Sequence, residues 1–219
     1  MGNETIILGM GCFWGPEAWI GAMEGIVGTT AGLAGGQSEE PIYRQPGDHS
    51  ETVRVVYDET VLPLEQLLER FWQRHRPAAI NGYREEPRYR SLILCANERQ
   101  LQLALQMQQA DDARSDTLIR LETTFYPVEE RHQKYYLQRQ LDVLEQLVEL
   151  YEDTVHVWDM KALDTTLAAR LNGWSRGHTT ASRIQAELPH WPKPLDSFMQ
   201  QRYEQLLVTL TDRSLVHEN

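Results

Sequence analysis

Hydrophobic and polar residues follow two spacings along this 219-residue chain, one typical of strands and the other of helices. Apolar or alternating runs predict strands at residues 4–11, 25–36, 51–58, 89–97 and 117–130, the second ending in a loop and the last in a turn. Apolar residues three or four apart predict helices at residues 13–24, 63–75, 98–113, 132–153, 165–171 and 197–210. Strands and helices alternate as far as about residue 135, and only helices follow. This order predicts an α/β or α+β domain with a helical C-terminal extension.

The charge of the chain disfavours a general role in nucleic-acid binding. The formal net charge is −11, and an acidic surface repels a phosphate backbone. The N-terminus lacks the basic start of a signal peptide, and no apolar run approaches the ~18 residues that a membrane span needs. We therefore expect neither nucleic acid nor a membrane as a partner, and we expect a cytoplasmic protein.

The two cysteines, Cys12 and Cys95, are too few for a disulfide scaffold, and no CxxC or HxxxH pair predicts a metal site. Cys12 lies in LGMGCFWGPEAWI, where a predicted strand gives way to a helix. In the first turn of that helix, the backbone N–H groups and the helix dipole would lower the thiol pKa and favour a nucleophilic thiolate.

Two alternatives to this nucleophile remain open at this point. Cys12 also fits the description of a small buried core residue, as most free cysteines do. It also fits a Cys–His pair, for which the chain offers His49, His75 and His132, and no spacing selects among them.

Seven segments occur in order between residues 4 and 137. They read GCFWGPE, AGLAGG, EEPIYRQ, DHSETVRVVYD, LLERFWQRHRP, RYRSLIL and TFYPVEERHQKYY. Together they resemble the motifs of the type A methionine sulfoxide reductase family, whose signature is GCFWG followed closely by Glu. The segment DTTLAARLNGW is similar to the C-terminal segment of a subgroup that lacks the usual cysteine-bearing tail.

The resemblance implies a fold and a division of the chain. The fold is a two-layer α/β sandwich of the ferredoxin-like kind, with a mixed sheet and helices packed on it. Residues 1–137 would form the catalytic domain, and residues 138–219 a helical extension packed on that domain. The apolar stripe of LEQLVELYEDTV in the extension fits either this packing or the docking of a partner.

The implied activity is the thiol-dependent reduction of methionine-S-sulfoxide, free or in proteins, as a repair of oxidative damage. By resemblance Cys12 is the nucleophile that becomes a sulfenic acid, and Glu51 is a buried, protonated acid beside it. Tyr43 and Tyr89 match the two tyrosines whose hydroxyls hold the sulfoxide oxygen. Phe13 and Trp14 would seat the methyl group, although each ring alone also fits core packing.

Two positions depart from the family pattern. Leu33 stands where a tyrosine is usual, and Arg84 stands at the ungapped position of the Asp in a Gly-Asn-Asp motif. Arg84 would place a cation near the pocket, or Glu85 or Glu86 would replace the missing Asp if the loop shifts. These departures and the missing tail cysteines motivate an alternative function, a redox sensor or sulfoxide-binding protein without efficient turnover.

The cysteine content predicts how the enzyme is recycled. The extension has no cysteine, and Cys95 lies in an apolar strand as a core thiol. We therefore expect no bound cofactor and an external thiol, a small thiol or a thioredoxin-like protein, as the reductant of the Cys12 sulfenic acid.

Overall fold

A computed structural model describes residues 2–75, 87–151, 163–191 and 197–216 of the chain. The strands are β1 Asn3–Met10, β2 Ile26–Ala34, β3 Ser50–Asp58, β4 Ser91–Cys95, β5 Leu118–Leu121 and β6 Phe125–Pro127. The helices are α1 Trp14–Gly21, α2 Leu64–Arg74, α3 Glu98–Gln109, α4 Leu141–Glu149, α5 Thr166–Trp174, α6 Ala181–Glu187 and α7 Ser197–Val216. The predicted helical extension contains no strand in its described part, and the prediction of an α/β fold is confirmed.

The strands form one mixed sheet in the order β5-β4-β1-β3-β2-β6. The β4–β5 pair is parallel, and the other neighbouring pairs are antiparallel. The inner elements run β1-α1-β2-β3-α2-β4, which is the order of a split β-α-β arrangement. Because two edge strands extend this inner unit, the narrower ferredoxin-like assignment stays a prediction.

The edge strands show that the sheet is curled. Five strand spacings separate β5 from β6, which is about 24 Å in a flat sheet. Only residues 122–124 join the two strands, and four Cα steps reach at most about 14 Å. Bending the sheet brings its edges together. The prediction of a single strand within residues 117–130 is therefore wrong. This segment forms two strands, β5 and β6, one at each edge of the sheet.

The inside of the curl has a small core of its own. Ile7, Ala34, Leu92 and Leu94 are buried there, and Phe125 packs against them. A Cβ at Gly32 would overlap the Phe125 ring, so the absence of a side chain lets β6 approach β2. The helices cover the opposite face of the sheet.

The main core lies between the sheet and the first three helices. Leu67, Leu68 and Phe71 place the apolar face of α2 on the sheet, as the helical spacing predicts. The α3 helix begins after Asn97, whose side chain accepts a hydrogen bond from the Gln100 backbone.

The predicted helix over residues 132–153 forms only as α4, Leu141–Glu149, within the described residues. The residues before α4 form short 3-10 turns, because some of their backbone N–H groups donate hydrogen bonds to side chains from other parts of the chain. The Lys134 N–H donates to the buried Glu17 carboxylate, and the N–H groups of Tyr136 and Leu137 donate to Asn172. Lys134 also has a φ of 45°, which ends a right-handed helix.

A buried ion pair fixes this segment to α1. The Lys134 Nζ lies 2.8 Å from Glu17 Oε1 and 2.6 Å from the Thr29 carbonyl oxygen. The two charged side chains are at most 1% exposed, so each depends on the other for its solvation.

The C-terminal helices form a second core, and α5 also contacts α1 and β2. Val143 and Leu147 of the apolar stripe are fully buried in this core, as packing within the chain requires. The α5 helix lies against α1, where a Cβ at Gly21 would come 2.7 Å from the Ala169 carbonyl oxygen. The division at residues 137 and 138 stays a prediction. None of the described helices is both long and apolar enough to cross a membrane.

We expect Lys134→Met to lower the free energy of unfolding by about 3–5 kcal/mol, because the substitution leaves the Glu17 charge buried and unpaired. The double variant Glu17→Gln, Lys134→Met should recover much of this loss, since it removes both charges. Urea unfolding at neutral pH measures the difference.

The exposed pair Arg99–Glu59 is the matched control. Its Arg99→Met variant should lose no more than about 1 kcal/mol. Equal losses in the two single variants would contradict the dependence on burial.

Candidate active site

Cys12 lies on the tight turn between β1 and α1. Gly11 takes a φ of 85°, which favours glycine, and α1 begins at Trp14 after Phe13 as its N-cap. The prediction that Cys12 sits in the first turn of the helix is therefore wrong by two residues. The thiol still accepts a hydrogen bond from the Trp14 backbone N–H, which favours the thiolate.

The pKa of the Cys12 thiol is raised to about 11, against the predicted fall. The main cause is burial, because the protein around the sulfur displaces the water that would solvate a thiolate. The hydrogen bond from the Trp14 N–H opposes this rise, and the neighbouring Glu51 carboxylate adds to it. Cys12 is nevertheless exposed at its outer side, so a second reactant can reach a thiol that is protonated at rest.

Glu51 lies next to the thiol at the start of β3 and is 1% exposed. Its Oε2 accepts the Phe13 N–H at 3.2 Å, and its side chain is hydrogen-bonded to Cys12. Burial raises the pKa of this carboxyl, and its hydrogen bonds only partly oppose the rise. Leu33 is its direct partner on β2 and is fully buried, so an apolar side chain replaces the tyrosine expected there.

Arg88 is a residue of this site that the sequence motifs did not single out. Its Nε donates to Glu51 Oε1 at 2.7 Å, and its side chain is 22% exposed. The guanidinium carbon lies 4.6 Å from the centroid of the Tyr43 ring and 5.6 Å from that of Tyr89. A signal was present in RYRSLIL, which has Arg88 where the family motif has Gln.

Arg88 and the two predicted tyrosines thus form one group beside Glu51. Tyr89 ends the 3-10 turn Pro87–Tyr89, which the Ser50 hydroxyl fixes to β3 through the Pro87 carbonyl. Burial raises the pKa of Tyr43, so its hydroxyl keeps its proton and can donate a hydrogen bond.

The loop that carries Tyr43 is closed by two polar side chains. Asp48 accepts hydrogen bonds from the Ser38 hydroxyl and from the backbone N–H groups of Ser38 and Gln37, which hold its pKa well below the usual range. His49 accepts from the Gly36 N–H and contacts the Ser38 carbonyl oxygen. Both side chains bring the two ends of the loop together.

The predicted aromatic pair lies beside the thiol in a larger cluster. Phe13 is 1% exposed and meets Trp14 and Tyr43 edge-on, with ring centroids 6.2 and 6.0 Å away. Trp14 stacks on Tyr135 at 3.8 Å. The residue roles assigned from the resemblance did not include Tyr135, although it belongs to the quoted segment TFYPVEERHQKYY.

Only one of the three candidate histidines faces the cluster. His75 is hydrogen-bonded between Phe71 and Ser91, and His49 closes the loop. His132 lies over Tyr43 with ring centroids 3.9 Å apart, and burial lowers its pKa. A neutral His132 serves the site as an aromatic wall.

Cys95 lies away from this group. It is fully buried in β4 opposite Ile6, which is four residues, or about 13 Å, before Met10 along β1. A disulfide requires Cα atoms within about 7 Å, so the register argues against a Cys12–Cys95 bond. Burial raises the pKa of Cys95 to about 12, and this thiol is unreactive.

Some predicted features cannot be compared with the geometry. Arg84, Glu85 and Glu86, with their motif, lie outside the described residues. Among the residues that are described, no cluster of three or more His, Cys, Asp or Glu side chains has the arrangement of a metal site.

The arrangement has clear chemical capacities. It holds a protonated thiol against a carboxyl group that burial also favours in its protonated form. Tyrosine hydroxyls and one guanidinium lie around the carboxyl, and aromatic faces lie on the other side. Such a site suits a substrate with a small apolar group and an oxygen that gains a proton.

Comparisons with known proteins agree with this geometry. A model of the family described as peptide methionine sulfoxide reductase matches residues 4–160. The peptide methionine sulfoxide reductase of Drosophila melanogaster is 36% identical over 191 residues, which cover 84% of this chain and 73% of that protein. The rice peptide methionine sulfoxide reductase A5 is 34% identical over 205 residues, covering 87% of this chain and 78% of that protein.

A solved structure shows the same fold. Methionine sulfoxide reductase A of Corynebacterium diphtheriae superposes with a TM-score of 0.54 at 30% identity, covering 64% of this chain and 76% of that one. The family match and these relatives confirm the resemblance drawn from the sequence motifs. The chain is an oxidoreductase that belongs to the type A peptide methionine sulfoxide reductase family.

Proposed function

We propose that this enzyme reduces methionine-S-sulfoxide, free or in proteins, through a Cys12 sulfenic acid that an external thiol then reduces. The observation that carries the proposal is the position of the accessible Cys12 thiol beside the buried Glu51 carboxyl, whose Oε2 accepts the N–H of the adjacent Phe13. The reduction of methionine sulfoxide itself follows from the family. The S epimer, the sulfenic acid and the external thiol are what we propose beyond it.

The first step moves one oxygen atom from substrate sulfur to Cys12. Protonated Glu51 donates to the sulfoxide oxygen, and the sulfoxide sulfur then becomes the electrophile. The thiol attacks as its own proton passes to Glu51, so the carboxyl regains its acid form. The hydroxyl then moves from the substrate sulfur to the Cys12 sulfur as the new S–S bond breaks, so methionine leaves with that electron pair and Cys12 is left as a sulfenic acid.

The surrounding rings explain why a methyl sulfoxide fits. Trp14 offers a partly exposed indole face, and Phe13 closes the floor of the site. An apolar, polarizable S-methyl group gains contact with both rings. The rings of Tyr43 and Tyr89 lie 4.6 and 5.6 Å from the guanidinium carbon of Arg88, which supports the proposal that their hydroxyls hold the oxygen.

Recycling requires two equivalents of an external thiol. The first thiolate attacks the sulfenic acid, releases water and forms a mixed disulfide with Cys12. The second thiol frees Cys12 and leaves as the oxidised disulfide. Cys95 is buried away from the site, so a small thiol or a thioredoxin-like protein supplies both equivalents.

The thiol pKa favours this function over the alternative of a peroxide sensor. Sensor cysteines react as exposed thiolates with a lowered pKa. The pKa of Cys12 is raised to about 11, so little thiolate is present at neutral pH. A sulfoxide is activated by the proton that it receives from Glu51, so it can react with a protonated thiol. A peroxide lacks this activation.

We expect Cys12→Ser to abolish turnover of methionine-S-sulfoxide with a dithiol reductant, because serine cannot accept the oxygen atom. Cys95→Ser is the matched control and should retain turnover, since Cys95 lies outside the site. Chiral chromatography of methionine released from a racemic sulfoxide measures both rate and epimer. Undiminished turnover by Cys12→Ser would rule the proposal out.

After one turnover without reductant, we expect Cys12 to remain as a sulfenic acid that dimedone traps. Mass spectrometry of the digested protein locates the adduct, and Cys95→Ser should yield as much of it as the wild type. A Cys12–Cys95 disulfide in place of the adduct would refute the one-cysteine cycle.

We expect Glu51→Gln to lower kcat by about 10²–10⁴, because glutamine cannot donate the proton. The wild-type rate should fall as pH rises through the elevated pKa of Glu51, since only the protonated carboxyl is the acid. Rates over a pH series test this, and Glu51→Gln should lose the descending limb. A descending limb that is unchanged in the variant would assign the acid to another group.

A further inference from the structure

The Glu51–Arg88 ion pair creates a charge problem for the proposed reaction. The resting carboxyl is held by the Arg88 Nε at 2.7 Å, which favours its ionised form. The proposed chemistry needs the protonated form. Once Glu51 is protonated, the guanidinium is left as a partly enclosed cation without its counter-ion.

Among the described residues, no other carboxylate serves as the counter-ion of Arg88 in place of Glu51. Arg88 faces Glu51 of β3, Tyr43 of the loop, its neighbour Tyr89, and Cys12 and His132 across the site. Tyr43 and the thiol are neutral at rest, and burial keeps His132 neutral. The acidic neighbour of His132 is Glu129, which pairs with Arg131.

The guanidinium is built to receive a second anion. Only its Nε is hydrogen-bonded within the described part of the chain, and 22% of the side chain is open to solvent. The two terminal nitrogens of an arginine form a planar fork that matches a carboxylate. The guanidinium carbon lies over the Tyr43 ring at 4.6 Å from its centroid, and this cation–π contact favours the observed position of the Arg88 side chain.

The substrate is short enough to supply that anion. Its sulfoxide sulfur must lie at Cys12 and its oxygen at Glu51, directly beside Arg88. Two methylenes and the α-carbon separate this sulfur from the carboxyl group of methionine, a span of about 5 Å at ordinary bond lengths.

We propose that Arg88 selects substrates with a carboxylate next to the methionine sulfoxide, because that carboxylate becomes the partner of the guanidinium when Glu51 takes up its proton. The inference rests on the proposed function and deepens it. The carboxylate comes from free or C-terminal methionine sulfoxide, or from an acidic residue beside it in a peptide. Binding of the anion and protonation of Glu51 then favour each other.

The first test compares kcat/KM for two substrates, N-acetylmethionine-S-sulfoxide and its uncharged N-methylamide. The wild type should prefer the carboxylate by about tenfold, in line with one charge-assisted hydrogen bond. Arg88→Gln should reduce the ratio to about one, and Arg88→Lys should keep part of it. The exposed Arg44, next to Tyr43, supplies the control Arg44→Gln with the same change of net charge and an unaltered ratio.

The second test distinguishes Arg88 as the charge partner of the substrate carboxylate from Arg88 in a purely structural role. The kcat profile reports groups in the substrate complex, so its descending limb should lie at higher pH for the carboxylate than for the amide. The limbs should coincide in Arg88→Gln. Peptides with Asp or Asn after the sulfoxide distinguish a side-chain anion from a terminal one.

Each ratio compares kcat/KM for the two substrates on the same variant, so a partial loss of folded protein does not alter it. Equal use of both substrates by the wild type, or an unchanged ratio in Arg88→Gln, would overturn the role of Arg88 and leave the reductase activity intact. Failure of the wild type to reduce either substrate would instead overturn the proposed function.

Discussion

The buried Glu17–Lys134 pair is the interaction on which the site depends. Glu17 accepts the backbone N–H and the ammonium of Lys134 and the hydroxyl of Thr29. A carboxylate that is fully enclosed requires all these donors, because no water replaces them. The pair therefore joins α1, β2 and the segment after β6, and it holds that segment out of a helix. His132 and Tyr135 consequently reach Tyr43 and Trp14.

The chemistry of the site depends on a balance between burial and one cation. Burial raises the pKa of Cys12 and Glu51, so both groups favour their protonated forms. Arg88 lowers both, through an ion pair with Glu51 and through its field at the sulfur. For Glu51 the net direction is upward, because enclosure by Leu33 and the core outweighs the hydrogen bonds. The protonation of Glu51 therefore responds to whatever anion approaches Arg88.

The sequence patterns predicted the parts of the site that depend on neighbouring residues along the chain. The motifs placed Cys12, Phe13 and Trp14 together at the strand–helix junction, and this neighbourhood follows from covalent order. The burial expected for Glu51 is present, since a strand residue facing a covered sheet loses its water. The fall expected for the thiol pKa was wrong. Helix-terminus reasoning counted the backbone N–H groups but not the desolvation that the folded chain imposes.

The sequence by itself determined the family, the alternation of strands and helices, the helical extension and the place of Cys12 beside its aromatic neighbours. These features depend on residues close in the chain or on ordered motifs. Only the tertiary structure decided that Arg88 pairs with Glu51, that two edge strands close a curled sheet, and that Cys95 lies apart from Cys12. Each depends on contacts between distant residues, where the energy of burial outweighs the local preference of the backbone.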